Sequence, residues 1–340
     1  MIRAGLVAFA LWSGAAFGQT AAELSDRAQQ LAQSRQLEQA ESLWKQALEK
    51  EPEFFPAVFN LGFLNVNRNR FAAAESYLER AVRMAPDEFN AHYLLGLARS
   101  KQREHEGAIR AWRSALALKP NHVKLMQAMI VEYTAGRYHH EAAELATRAV
   151  RLDPGSLDLR LMQLTAYRKA DDLPAALLAA KSAAERFPLS ARAVFEYGWN
   201  LLKSGRYEEA LPKIRQAADL DPRYEEPQFF WGDWLVNQGR YEEALAPLRK
   251  AIEIRPDYIP ARVRLGRALL GLKRLDEAVV ELNKTIEQEP RHPQPHLLLS
   301  QIYFRRKDRK AAAAAKKRSL QLRRENPAFL EAQQTRPFPE

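Results

Sequence analysis

The sequence contains no cysteine. That absence excludes disulfide staples, thiolate metal sites, cysteine nucleophiles and lipid attachment at a cysteine. Motifs that carry chemistry are also missing: there is no HExxH, no Gly-x-Ser-x-Gly and no phosphate-cradling glycine loop. The seven histidines are scattered. His139 and His140 are adjacent and so point to different sides of a helix or turn, and Pro293 and Pro295 are expected to keep His292 and His296 off one regular helical face. These absences predict a protein with no catalytic constellation, no metal and no cofactor. No small-molecule substrate is evident, and no nucleic-acid motif appears. A period-two alternation of apolar and polar residues is missing throughout, which argues against strands.

Long apolar runs are scarce. The one that stands out, Ala4 to Phe17, follows the positive charge of Met1-Ile2-Arg3 and ends in Ala16-Phe17-Gly18, with small residues where a signal peptidase reads. It is shorter than the ~20 residues a membrane span needs. This shape predicts a secretory signal peptide over residues 1–18, cut before Gln19, and hence export to a periplasm or cell envelope.

Hydrophobic residues make up 46% of the chain, enough for a core, and the net charge is +10. The charge is unevenly placed: residues 305–340 carry eleven Lys and Arg against four acids, so the rest of the chain is nearly balanced. Arg305, Arg306, Lys307, Lys316, Lys317 and Arg318 mark a basic C-terminal surface. Its partner would be an acidic protein, anionic lipid head groups or an acidic polysaccharide, and a solvated capping helix is the plainer alternative.

What the chain has in abundance is repetition. Pro52, Pro86, Pro120, Pro154, Pro188, Pro222, Pro256 and Pro290 follow one another at a constant thirty-four residues. A fixed period of this length signals a repeat solenoid. With each proline set at position 32 of its repeat, position 20 is alanine in nine repeats out of nine, from Ala40 to Ala312. Position 27 is alanine from Ala47 to Ala251, then Thr285 and Ser319, and position 8 is glycine at Gly62, Gly96, Gly198, Gly232 and Gly266. Small side chains let helices approach closely, so these columns mark crossings, with Leu61, Leu95, Trp231 and Leu265 filling the space beside them. Apolar residues recur at helical spacing in two segments per repeat, separated by turns such as Lys203-Ser204-Gly205-Arg206. Each position-32 proline stops a second helix. Pro56, Pro227 and Pro260 fall in the first turn of the next one, where a missing N–H costs nothing. The fourth repeat is expected to turn early, at Gly136-Arg137-Tyr138-His139-His140.

These columns resemble the tetratricopeptide repeat, a helix–turn–helix of thirty-four residues with the pattern W-x-x-L-G-x-x-Y, then A-x-x-x-F, A and P. The resemblance covers Ala21 to about Pro290 as eight repeats, with a degenerate ninth from Pro293. Asn65, Arg99 and Gln163 depart from the pattern, and Arg324 stands where the last proline belongs. The family implies an all-α fold, a right-handed superhelical solenoid spanning residues 19–326, followed by a tail at 327–340. It also implies a non-enzymatic protein–protein interaction scaffold, whose first helices line a concave groove.

On that implication positions 5 and 9 would face the groove, where Phe59, Phe63, Tyr93, Leu97, Phe195, Trp199, Phe229 and Asp233 stand. The aromatic seam predicts an apolar groove receiving a partner protein's segment; packing against neighbouring helices is the competing role for each aromatic. The Lys and Asn clamp with which some family members hold acidic chaperone tails is replaced here by Ser25 and Gln29. A second functional expectation is an accessory component of an envelope polysaccharide- or protein-export machine, docking through the basic C-terminal helix.

Overall fold

The computed structural model describes residues 19–326. The expected leader, residues 1–18, and the tail, 327–340, lie outside the described residues. Among the described residues all regular structure is α-helical, in eighteen helices.

Two compact units divide the chain at Tyr138 and His139. The first contains α1 (Ala21–Gln33), α2 (Leu37–Lys50), α3 (Phe55–Asn67), α4 (Phe71–Met84), α5 (Phe89–Lys101), α6 (His105–Leu118) and α7 (Val123–Ala135). The second contains α8 (His139–Leu152), α9 (Leu157–Lys169), α10 (Leu173–Arg186), α11 (Ala191–Lys203), α12 (Tyr207–Leu220), α13 (Glu225–Asn237), α14 (Tyr241–Ile254), α15 (Ile259–Gly271), α16 (Leu275–Gln288), α17 (Pro293–Arg305) and α18 (Arg309–Glu325). Within each unit the helices pack in sequence order as helix–turn–helix pairs, the arrangement of a helical repeat solenoid.

The first turn of the described chain is capped from the sequence itself. Thr20 and Glu23 form a capping box, with the Glu23 carboxylate accepting from the Thr20 N–H at 2.9 Å and the Thr20 hydroxyl accepting from the Glu23 N–H at 3.2 Å. The turn inside every repeat is of one kind. Position 15 has φ between 56° and 72° at Arg35, Asn69, Arg103, Arg137, Asp171, Gly205, Gly239, Lys273 and Lys307. Its N–H donates to the carbonyl of position 12, and the N–H of position 16 donates to position 11, as in Gly205 to Leu202 at 3.0 Å and Arg206 to Leu201 at 2.9 Å. This pair of bonds is the Schellman closure, which favours glycine at the left-handed residue, yet seven of the nine positions carry a side chain. The fourth repeat keeps the common register. Gly136 has an ordinary φ of −77° as the C-cap of α7 and Arg137 takes the left-handed turn, so the early turn expected from the glycine does not occur.

The proline ladder ends the second helices as expected. Residues before the prolines, such as Glu51, Phe187 and Asp221, have extended φ values of −139°, −126° and −133°. Where the rung is missing at Arg324, α18 runs to 17 residues instead of 14 and ends with Asn326 at φ −137°, just before Pro327 in sequence. Pro293 and Pro295 lie in the first turn of α17 without breaking it. His292 and His296 share no helical face, as expected, but the reason is that His292 precedes the helix as its N-cap.

The small-residue columns are the crossings. The position-20 alanines from Ala40 to Ala278 have no exposed surface, and the hydroxyls at position 27 bond internally, Thr285 to the Glu281 carbonyl and Ser319 to the Pro293 carbonyl, both at 2.9 Å. Each position-8 glycine faces the large residue at position 24 of its own repeat. A Cβ on Gly96 would stand 2.3 Å from the Trp112 indole, and one on Gly232 would stand 2.6 Å from Leu248. The fifth repeat exchanges the two sizes: buried Leu164 packs in one cluster with buried Ala180. The other departures are equally compensated. Buried Asn65 donates to the Leu61 carbonyl at 2.7 Å, Arg99 bonds Glu75 at 2.7 Å, and Gln163 donates to the Thr147 hydroxyl at 3.0 Å.

Candidate functional site

The seam expected from positions 5 and 9 has two different characters. In the first unit it is partly open. Phe59 is half-buried and stacks on Phe55 with centroids 5.8 Å apart, while Tyr93 is half-buried against Phe89 at 6.0 Å. Phe63 is 45% exposed, Leu97 is half-buried, and Val131, one period further along, is 60% exposed. Val131 is legible in the sequence as the next member of this register, thirty-four residues after Leu97, although it does not share the aromatic character of the seam. The flanking positions are Pro56, Asn90 and Lys124 on one side and Asn67, Lys101 and Ala135 on the other, all exposed and none acidic.

In the second unit the same positions are mostly closed. Phe195 and Phe229 are buried, contrary to the expectation that they face a partner, because aromatic neighbours crowd over them. Phe195 lies 5.3 Å from Tyr224 and 5.7 Å from Phe230; Phe229 lies 5.0 Å from both Phe230 and Tyr258. Burial pushes the Tyr224 and Tyr258 hydroxyls well above the usual phenol range. Asp233 is buried too, held by the Arg264 guanidinium, so it is a structural ion-pair partner of α15 and not a groove residue. Trp199 remains half-buried, with its ring 4.6 Å from Phe230 and the Lys203 ammonium 5.0 Å above it.

A cavity of about 720 Å³ opens elsewhere in this unit, between α12 and α13, with Leu211, Pro212, Leu220, Trp231 and Trp234 among its walls and Glu208 and Asp219 at its rim. Trp231 therefore does more than fill space beside a crossing. It stacks on Trp234 at 5.0 Å, with Arg215 and Arg240 each 5.6 Å from an indole face.

A second cavity, about 450 Å³, lies beside His105, Glu106 and Tyr138 in the first unit. Close to it, buried Glu132 accepts from the Ser100 hydroxyl at 2.6 Å through one oxygen and lies 2.6 Å from His105 Nδ1 through the other. The carboxylate sits between hydroxyl and imidazole, so the imidazole is not placed to take the serine proton, and the trio lacks the nucleophile–base contact of covalent catalysis. Among the described residues no three His, Asp or Glu side chains converge as metal ligands. The recurring acidic pairs at the starts of second helices are surface features: Glu209 is held by Arg206, Glu243 by Arg240 and Glu277 by Arg274, each three residues away.

At the C-terminal end, Arg305 donates to the Leu270 carbonyl at 2.7 Å and Arg306 pairs with Asp276. Lys307 is the left-handed turn residue; Lys316 and Lys317 are exposed, and Arg318 is half-buried.

Two family models, both described as tetratricopeptide repeat, match the chain: one over residues 235–302, the other over 64–123, 161–225 and 198–259, together more than half of its length. The chain belongs to the tetratricopeptide repeat family. Comparison with curated proteins gives no significant match. Among solved structures the repeat chain is similar to MamA of Desulfovibrio magneticus RS-1, at 21% identity over 50% of this chain and 96% of that one, with a TM-score of 0.46. It is also similar to YrrB, described as a TPR protein with an unusual peptide-binding site, at 24% identity over 54% and 95%, TM-score 0.43. A third is the APC/C hetero-tetramer Cut9–Hcn1, at 15% identity over 85% and 57%, TM-score 0.49. As a tetratricopeptide repeat protein the chain is a protein–protein interaction scaffold, presenting stacked helices along which a partner can be gripped.

Proposed function

We propose that this scaffold is exported to the periplasm or cell envelope and holds a partner protein's segment along the exposed face of α3, α5 and α7. The observation that carries the reading is the run Phe63, Leu97, Val131: three apolar side chains at one repeat position, two of them well exposed, with no acid among the flanking residues. Three apolar anchors at repeat spacing suit an extended or helical segment with apolar side chains, and Lys101 and Lys124 favour acidic residues beside them. The leader-like residues 1–18 support export.

Photo-cross-linkers placed at Phe63 and Val131 in the native cell should trap one and the same partner, and placed at exposed Val280 should not. The Phe63→Ser/Leu97→Ser/Val131→Ser variant should keep the wild-type melting temperature and lose that partner. A collapsed melting temperature instead means that these residues are core, and the reading fails. Export is checked separately by sequencing the N-terminus of the mature protein, which should begin at Gln19.

A further inference from the structure

The last repeat keeps apolar residues that earlier repeats cover. At position 12, Val66 clusters with Leu94 and Leu95 of the following repeat in the first unit, and Leu202, Val236 and Leu270 are buried in the second. Phe304 occupies the same position in α17 and is 69% exposed. At position 28, Ile252 and Ile286 are half-buried, whereas Leu320 in α18 is 48% exposed. A purely solvated cap has no use for either side chain.

Around them positive charge dominates. Lys307, Arg309, Lys310, Lys316, Lys317 and Arg324 are exposed, and among the described residues none of them joins an ion pair. The two acids of residues 305–326 are outnumbered by ten Lys and Arg. Asp308 is used as the N-cap of α18, accepting from the Ala311 N–H at 2.9 Å, and Glu325 accepts from Gln321 at 2.7 Å. Among the described residues no helix is long and apolar enough to cross a membrane.

We infer that the terminal repeat docks peripherally on an anionic lipid bilayer, with the free cations of α18 on the head groups and Phe304 and Leu320 entering the acyl boundary. A soluble polyanion would be satisfied by the cations alone. The protruding aromatic and leucine are what an interfacial lipid site adds.

The test uses the whole mature chain and phosphatidylcholine vesicles with and without phosphatidylglycerol, read by co-sedimentation, with heparin as the soluble polyanion. Binding is expected only with phosphatidylglycerol. Changing Lys310, Lys316, Lys317 and Arg324 to Gln should weaken it by more than a hundredfold, at about fivefold per charge. Phe304→Ser should weaken vesicle binding about tenfold and leave heparin binding unchanged. The Phe63→Ser/Leu97→Ser/Val131→Ser variant should bind vesicles like the parent. Three outcomes overturn the inference: no preference for phosphatidylglycerol; unchanged vesicle affinity in Phe304→Ser, which makes the surface a polyanion site; or a lowered melting temperature in Phe304→Ser, which means that the ring is covered in the whole protein.

Discussion

The nine identical turns allow the backbone cost of a left-handed residue to be measured inside one molecule. Arg35, Arg103 and Lys273 are exposed and hold φ values of 61°, 63° and 61°. An L-residue in this region costs roughly 1–2 kcal/mol. Glycine removes that cost but gives the unfolded chain more freedom, worth about 0.5–1 kcal/mol. The net expectation for each of Arg35→Gly, Arg103→Gly and Lys273→Gly is therefore a gain of about 0.5–1 kcal/mol. The sites are at least two repeats apart and share no partners, so the triple variant should gain about 1.5–3 kcal/mol. Gly205→Ala and Gly239→Ala are the reverse experiment. Their φ values are 72° and 71°, and a Cβ there meets nothing within 4 Å, so any loss reports the backbone alone. Each should cost about 1 kcal/mol. Urea titrations followed by far-UV circular dichroism give the midpoint and slope, and the slope should stay constant. If the glycine variants are less stable while the alanine variants are neutral, the left-handed turns do not persist in solution and the reasoning is refuted.

Three further predictions address packing and charge. Gly96→Ala drives a methyl group into Trp112, whose indole N–H is tied to the Tyr93 carbonyl at 2.9 Å. It should cost about 2–4 kcal/mol, partly recovered by adding Trp112→Leu, and calorimetry of single and double variants checks the coupling. Arg264→Met strands buried Asp233 and should cost about 3–5 kcal/mol, whereas adding Asp233→Leu should restore much of it. His296 is held below its ordinary value of 6.5 by burial and, secondarily, by the Arg318 charge. The unfolded chain therefore takes that proton first, so the stability His296 contributes is present above pH 6.5 and is lost as pH falls through the folded value. Thermal melts of His296→Gln should show a weaker pH dependence in that window, and an unchanged profile would count against the assignment.

Much of the architecture was legible because its signals are columns. A small residue at a helix crossing has few substitutes, so Ala40 to Ala278 and the position-8 glycines announced the packing, and the prolines announced the helix ends. The intra-repeat turn was harder to read, since arginine, lysine, asparagine and aspartate occupy most of its left-handed positions. Gly136, a glycine one residue out of place, pointed to a turn that the hydrogen bonds put elsewhere. The seam misled for a related reason. Position alone does not separate Phe59 from Phe195, both at position 5; what differs is the neighbours, because Tyr224 and Phe230 come from the following repeat and its preceding loop and close over Phe195, whereas Phe59 stays half-buried. Asp233 likewise stands at a groove position in the sequence, and only its pairing with Arg264, thirty-one residues later, makes it structural.

The exchange of Leu164 and Ala180 for glycine and a large residue takes place wholly within the fifth repeat. Since partner residues for this crossing travel in one thirty-four-residue segment, a repeat can be duplicated, deleted or transplanted without leaving a hole or a clash at its own crossing. The unbroken proline interval is what lineages lengthened by whole-segment copying would leave behind. The chain is thus a set of interchangeable cassettes whose inner fit is self-contained, while the residues that face outward, from Phe63 to Trp231 to Phe304, are free to diverge copy by copy.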